Sequence, residues 1–297
     1  VGPNEIDAVD IVYGPFSAEY SSNSIGGVVN LKTRMPRKRE MYVESSLFIQ
    51  PYEKYGHKGT FIGNRQYVSV GDRFFDKISV FAAYNRLEAE GQPQSYFIDN
   101  TGLGSGGGNP AVTGGIRETS SRGVPSVVYG DSGPEKVTTD LMKFKAGYDI
   151  NHSLKAIFTA AYENRVRSQR NPQNYLRKSD GSKHWSGNAS MADGTNFKAA
   201  QSWGNSVFKV SEDKRQTLQL GLNLKGALTD DITHALIGQN WFIDTTTSHF
   251  NVLKDTRASS KKNPSDPTTS NNGQIDDYKR FSWFNHDIKL SNQKLFG

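Results

Sequence analysis

Residues 168–215 combine many basic and aromatic side chains, which is a pattern typical of a surface that binds anions. The segment holds eight lysines and arginines against four aspartates and glutamates, a net charge of +4. Positive charge attracts anionic ligands, and aromatic rings offer flat surfaces for ligand rings and cations. The pattern predicts ligand-binding side chains at Tyr175, Arg177, Lys178, Trp185 and Trp203. Two alternatives stay open: a solvated loop, or a loop that binds lipopolysaccharide phosphates.

The sequence gives little support for catalysis or for a bound cofactor. Its histidines are scattered without metal-binding spacing, and the absence of cysteine leaves no thiolate and no disulfide. The run Gly102–Gly107 formally matches a nucleotide-binding motif, but Gly108-Asn109-Pro110 follows where such a site needs a helix. The net charge of +6 is spread too evenly to indicate nucleic acid. We therefore expect no enzyme, no cofactor and no metal site built from protein side chains.

The elements that must position the basic residues are β-strands. In the clearest case, residues Leu218 to Leu224 place a leucine at every second position, with polar residues between them. Such alternation indicates a strand that is apolar on one face and wet on the other. Arg165 and Arg167 continue the polar parity of their segment, so we expect them on the wet face, as residues that contact a passing ligand. The eight predicted strands are 41–50, 66–72, 78–86, 140–150, 154–165, 217–228, 232–244 and 281–290.

The predicted connections differ in length on the two edges of this sheet. Short polar turns are expected at 75–77, 151–153 and 229–231, whereas the long connections are expected at 52–64, 90–137, 168–215 and 250–278. Short turns on one edge and long loops on the other are typical of outer-membrane barrels. A soluble β-sandwich also alternates, but compact soluble domains rarely contain such long loops. No run of about 18 apolar residues occurs, so no membrane-spanning helix is predicted.

The stretch 6–34 reads as a strand, a Gly-Pro break and a second strand that starts at paired glycines. It resembles the end of the plug domain of TonB-dependent outer-membrane receptors, which immediately precedes the first barrel strand. The positions that fall on the family pattern in register are Ile6, Asp7, Gly14, Pro15, Ser17, Tyr20, Gly26, Gly27, Val28, Val29, Asn30, Leu31 and Thr33. The family commonly has an arginine before the Gly-Pro pair and a glycine after the tyrosine. This chain has Tyr13 and Ser21 instead, so a plug-to-wall latch through that arginine is not expected.

The resemblance implies an all-β protein in two parts. Residues 1–36 would be the C-terminal part of a plug domain. Residues 37–297 would be the first eight or so antiparallel strands of a transmembrane barrel of about 22 strands, because eight strands alone close too tightly to hold a plug. Most of the plug and the remaining strands would then lie outside this chain.

The resemblance also implies a function. Such receptors bind a scarce solute outside the bacterial cell and pass it inward, driven by the TonB complex of the inner membrane. The expected partners are that complex, outer-membrane lipids and a small ligand, an anionic ferric siderophore being favoured by the basic loop. The alternatives from other classes are a porin or adhesin barrel without a plug, and a soluble all-β carbohydrate-binding protein.

Overall fold

The computed structural model describes residues 2–13, 27–100, 108–199, 207–228, 240–260, 273–278 and 280–292. One short 3-10 helix, Pro3–Glu5, precedes strands that account for all other regular structure in these ranges. The strands are β1 (Ile6–Tyr13), β2 (Gly27–Thr33), β3 (Glu40–Lys54), β4 (His57–Phe74), β5 (Ile78–Gly91), β6 (Tyr96–Asn100), β7 (Ala111–Thr113), β8 (Ile116–Thr119), β9 (Pro125–Asp131), β10 (Glu135–Asp149), β11 (Leu154–Gln169), β12 (Gln173–Asn174), β13 (Arg177–Lys178), β14 (Gly187–Met191), β15 (Asn196–Ala199), β16 (Ser211–Ala227), β17 (Trp241–Ser259), β18 (Gln274–Asp277) and β19 (Ser282–Asn292). None of the described helical residues forms a helix that is long and apolar enough to cross a membrane.

The main sheet is an antiparallel meander. Its order is β3, β4, β5, β10, β11, β16 and β17, and the last strand pairs with both β18 and β19. These long strands correspond to the eight predicted ones, so the all-β, antiparallel fold is confirmed. The strand predicted at 232–244 is misplaced: the strand is β17, and residues 229–239 lie outside the described part. Among the described residues β3 pairs with β4 alone, so the sheet is open at both edges.

One face of the main sheet is apolar, as the alternation predicts. A single cross-strand row runs from Met41 through Val70, Ala82, Phe144 and Ala160 to Leu220. These side chains are not covered by other elements: Met41 is 69% exposed and Leu222, in the neighbouring row, is 51% exposed. Contiguous apolar surface of this extent is uncommon on soluble monomers and marks an interaction surface. We call it the apolar face, and its opposite the polar face.

The connections follow the predicted division with two corrections. The tight turns at 75–77 and 150–153 lie at one end of the strands. The described residues of the connections 92–134, 170–210 and 260–281 lie at the other end. The predicted connection at 52–64 is wrong, because β3 and β4 continue to a two-residue turn at Tyr55 and Gly56, where Tyr55 has a φ of 52°. The predicted connection at 250–278 is wrong over residues 250–259, which belong to β17.

The described residues of the connections 92–134 and 170–210 fold together into a small unit that we call the cap. One of its two sheets has the order β12, β9, β6 with β8 also on β9, and the other has the order β13, β7, β14, β15. A fully buried core lies between these strands. Its members are Val112, Val127, Tyr129, Leu176, Ala189, Phe197, Ala199 and Phe208. The sequence analysis treated these segments as loops and missed this core. The predicted glycine-rich run at 102–107 lies outside the described residues.

The predicted pair of strands near the N-terminus is present as the antiparallel hairpin of β1 and β2, with Asp10 opposite Asn30. Gly27 pairs with Tyr13, and a Cβ on Gly27 would lie 3.1 Å from the Val12 carbonyl oxygen. A glycine therefore allows the close approach of the two strands. Of the other predicted motif residues, Gly14, Pro15, Ser17, Tyr20 and Gly26 lie outside the described part.

Candidate functional site

The N-terminal segment is attached to the polar face of the main sheet through Glu5. This carboxylate is 2% exposed and accepts hydrogen bonds from the Lys143 ammonium at 2.8 Å and the Tyr67 hydroxyl at 3.1 Å. It also accepts the backbone N–H of Gly2 at 2.8 Å. Burial by itself would raise the pKa of Glu5, but the Gly2 N–H and Lys143 outweigh it and hold the pKa below its usual value. Glu5 is therefore an ionised, fully bonded anchor.

The residues that follow the hairpin are attached to the same face. Lys145, which is 4% exposed, donates to Thr33 Oγ1 at 2.8 Å and to the Arg34 carbonyl oxygen at 3.1 Å. A Cβ at Gly71 would collide with Pro36, so the bare backbone of β4 lets this proline pack directly against the strand. Both ends of the hairpin are thus held on the polar face by the same two strands, β4 and β10.

The arginine that the family commonly carries before Gly-Pro is Tyr13 here, and Tyr13 is 80% exposed at the end of β1. The attachment of the N-terminal segment instead uses Glu5 with Lys143 and Arg34 with Glu40, whose charged atoms are 2.8 Å and 2.9 Å apart. Arg34 Nε also donates to the Asn4 carbonyl oxygen at 2.8 Å. The described residues therefore hold this segment by ion pairs other than the one that the family pattern would supply.

Arg165 and Arg167 both lie on the polar face, as their parity predicts. In the register of β10 and β11 they share the side of Lys143, since Leu141 pairs with Glu163 and Thr139 with Arg165. Arg165 lines a cavity of about 250 Å³ together with Arg215 and Phe250. Arg167 forms an ion pair with Glu135. Glu135 lies on β10, two residues nearer the cap than Val137, which is directly opposite Arg167. Only Arg165 of this pair therefore borders the cavity.

The predicted binding residues of the cap serve its own packing. The Tyr175 hydroxyl donates to Asp131 Oδ2 at 2.5 Å, and burial, followed by this bond, raises the pKa of the Tyr175 phenol. Arg177 donates to main-chain carbonyl oxygens of its own segment. The Trp185 ring packs edge-on against Phe208 at 5.4 Å. Lys178 is exposed at the end of β13, and Trp203 lies outside the described residues.

The structure therefore does not gather the predicted binding residues into one pocket. Within the described residues, Arg165 borders the cavity on the polar face, whereas Tyr175, Arg177 and Trp185 belong to the cap. Arg215 and Phe250 are not predicted as cavity residues, because the predicted loops 168–215 and 250–278 include them. The signal that could have identified them is the polar parity of β16, which continues back from Gln219 through Thr217 to Arg215.

A buried polar cluster ties the cap to the first hairpin of the main sheet. Asp131 is fully buried and accepts from Tyr175, from the backbone N–H of Gly133 at 2.6 Å, and pairs with His57 Nδ1 at 3.0 Å. Hydroxyls of Tyr52 and Tyr96 bond to each other beside it. Since His57 begins β4 and Asp131 ends β9, this cluster fixes the cap over the β3–β4 turn.

No group of three or more histidines, aspartates or glutamates in the described part is arranged to hold a metal ion. The comparisons with known proteins add no relative: no family model, no curated protein and no solved structure matches the chain.

Proposed function

We propose that the chain is the end of the plug domain and the first barrel strands of a TonB-dependent outer-membrane receptor, with a ferric siderophore as its solute. The observation that carries the proposal is the contrast between the two faces of one sheet. The polar face holds the N-terminal segment through Glu5, and the apolar face exposes row after row of Leu, Val, Met and Phe.

A bilayer explains the apolar face better than water does. The long strands run from 11 residues in β19 to 19 in β17, and about 9–11 tilted residues are enough to cross the hydrocarbon core. Exposed aromatic residues lie close to the tight turns, with Phe75 88% exposed and Tyr148 47% exposed. Aromatic side chains are enriched at this depth in membrane proteins, where ring and headgroup meet.

The unpaired edges of the sheet support a barrel larger than eight strands. An open edge exposes unsatisfied backbone groups, which a bilayer does not tolerate. Additional strands between β3 and β19 would satisfy them and would enclose enough space for the N-terminal segment, as barrels of about 22 strands do. The partners that this proposal implies are outer-membrane lipids, the solute and the TonB complex of the inner membrane.

The proposal is tested by uptake of a labelled ferric chelate by cells with and without the full-length gene. Cells that carry it should accumulate the label, and collapse of the proton gradient should stop accumulation. A matched strain that lacks the TonB complex serves as the control and should behave like the deletion. Equal uptake in all strains, or recovery of the protein in buffer without detergent, would contradict the proposal.

A further inference from the structure

A stack of aromatic rings lies on the polar face, beside the cavity that Arg165, Arg215 and Phe250 line. The rings of Phe250 and Trp283 are directly opposite each other on β17 and β19, with centroids 4.2 Å apart and planes 14° apart. Phe281 continues the stack at 5.9 Å from Trp283. Trp283 is 47% exposed, so a broad flat surface faces the same side as the charged residues of this face. Such a surface suits a second flat ring.

Two guanidinium groups border the same cavity. Arg165 and Arg215 pair directly across β11 and β16, and like charges in this position repel each other. Arg165 has no ion pair among the described residues. Arg215 Nε is buried without a hydrogen-bond partner, and the nearest carboxylate oxygen, on Asp255, is 3.8 Å away. An anion between the two arginines would satisfy a buried donor and relieve the repulsion.

A register shift in β17 shapes this arrangement. Gln216 pairs with Lys254 but Thr217 pairs with Val252, so β17 carries one extra residue at this point. A bulge of this kind bends the strand and redirects its side chains. On one side of the shift, Asp255 lies opposite Arg215. On the other side, Phe250 borders the cavity.

The size of the cavity limits what it can hold. Its volume of about 250 Å³ is below the range of roughly 300–1,000 Å³ that holds a drug-sized molecule. One substituted ring fits, whereas a whole chelate does not. Glu163 and Gln219 also line the cavity and supply a hydrogen-bond acceptor and an amide for substituents of that ring.

We propose that this cavity binds a single aromatic ring that carries a carboxylate or phenolate group. The anionic oxygen lies between Arg165 and Arg215, and the ring packs beside Phe250. A ring hydroxyl next to the anionic group donates to Glu163. This inference deepens the proposed function, because it names the part of the solute that the wall recognises.

Binding is measured by calorimetry on the full-length protein in detergent, with three probes. The first is 2-hydroxybenzoate, the second is cyclohexanecarboxylate, which keeps the charge without the ring, and the third is benzyl alcohol, which keeps the ring without the charge. We expect 2-hydroxybenzoate to bind at least about tenfold more tightly than either comparison probe. Equal binding of the first two probes, or no binding of the first, would overturn the inference.

Variants locate the site. The double change Arg165→Gln and Arg215→Gln should weaken 2-hydroxybenzoate binding at least about tenfold, because charged hydrogen bonds are lost. Trp283→Leu should also weaken it, while Trp283→Phe, which keeps a ring, should restore most of the affinity. Arg122→Gln, on an exposed turn of the cap, is the charge-matched control and should bind like the wild type. Heat-modified mobility in gels checks that each variant is folded, and a folded double variant with unchanged affinity would refute the site.

The two proposals fail in different ways. If the probe binds at the two arginines but cells take up no ferric chelate, the uptake function is wrong and the ring site stands. If cells take up the chelate but the probe does not bind, the ring site is wrong and the receptor proposal stands.

Discussion

The main sheet exposes its large apolar side chains, whereas the cap buries them. In the main sheet, large apolar residues such as Leu222 and Phe144 are about half exposed on a continuous outer face. In the cap, Phe197, Phe208 and Leu176 are completely buried, on or beside strands of only two to seven residues. The cap therefore holds together as a small water-soluble domain does, by a closed core. The main sheet instead leaves its apolar residues exposed on one face.

The largest expected effect tests whether the cap depends on that core. Phe208→Ala removes a fully buried ring that contacts Phe97, Tyr129 and Trp185, and it should destabilise the cap by about 3–5 kcal/mol. Hydrogen exchange should show loss of protection in 92–134 and 170–210, with the main sheet unchanged. Phe158→Ala, a ring 39% exposed on the apolar face, is the control and should leave cap protection intact. Simultaneous loss of protection in both regions would show that they are one cooperative unit.

A second prediction tests the solvent of the apolar face. Leu222→Arg places a charge on that face and should lower the free energy of unfolding in a bilayer by about 2–4 kcal/mol. Gln219→Arg, three residues away on the polar side of the same strand, should cost less than about 1 kcal/mol. Denaturant titration in lipid vesicles measures both. A small cost for the change at Leu222 would mean that water, not lipid, covers this face.

A third prediction separates the cap from the main sheet at their junction. Asp131→Asn removes the charge that accepts from Tyr175 and pairs with His57, and the amide nitrogen of Asn opposes these donors. The buried groups left without a partner should cost about 1–3 kcal/mol. Proteolysis should then cut at the cap boundaries near residues 92 and 134 while the main sheet stays protected. Asp193→Asn, at an exposed carboxylate, should leave the cleavage pattern unchanged.

The smallest expected effect is a pH dependence of the cap. Burial lowers the pKa of His184, and the nearby charge of Lys178 lowers it further, although a bond to the Gly187 carbonyl oxygen opposes both. In the unfolded chain the pKa returns to about 6.5, so the unfolded state takes up a proton first as the pH falls. Cap stability should therefore be full above about pH 6.5 and should decline as the pH falls below it. Exchange rates of cap amides between pH 7.5 and 5.5 measure this, and His184→Gln should flatten the dependence.

The sequence predicts the main sheet well because each strand carries its own evidence. Alternation within residues such as 142–150 or 218–224 is local, and each long strand of the main sheet pairs with the next long strand along the chain. The extension of β3 and β4 through residues 52–64 was not predicted, because Gly56, Gly59 and Gly63 interrupt the alternation. Contacts with the cap support the strand there, since His57 pairs with Asp131 and stacks on Phe61.

The cap and the cavity could not be predicted in the same way. The cap strands are short and take partners from two segments that β10 and β11 separate, so the pattern of any one segment carries little information. Arg165 was predicted because its parity is visible in one strand. Phe250 and Trp283 meet across strands that only the observed register brings side by side.

The hydrogen bonds of Glu5 also constrain the order in which the protein folds. Its two side-chain partners, Tyr67 and Lys143, follow it by 62 and 138 residues, and they stand on strands that are not adjacent in the sheet. The bond between Glu5 and Lys143 can therefore form only after β10 has been synthesised and has joined the sheet. Until then the acidic segment around Glu5 stays exposed to whatever chaperone handles the partly folded chain.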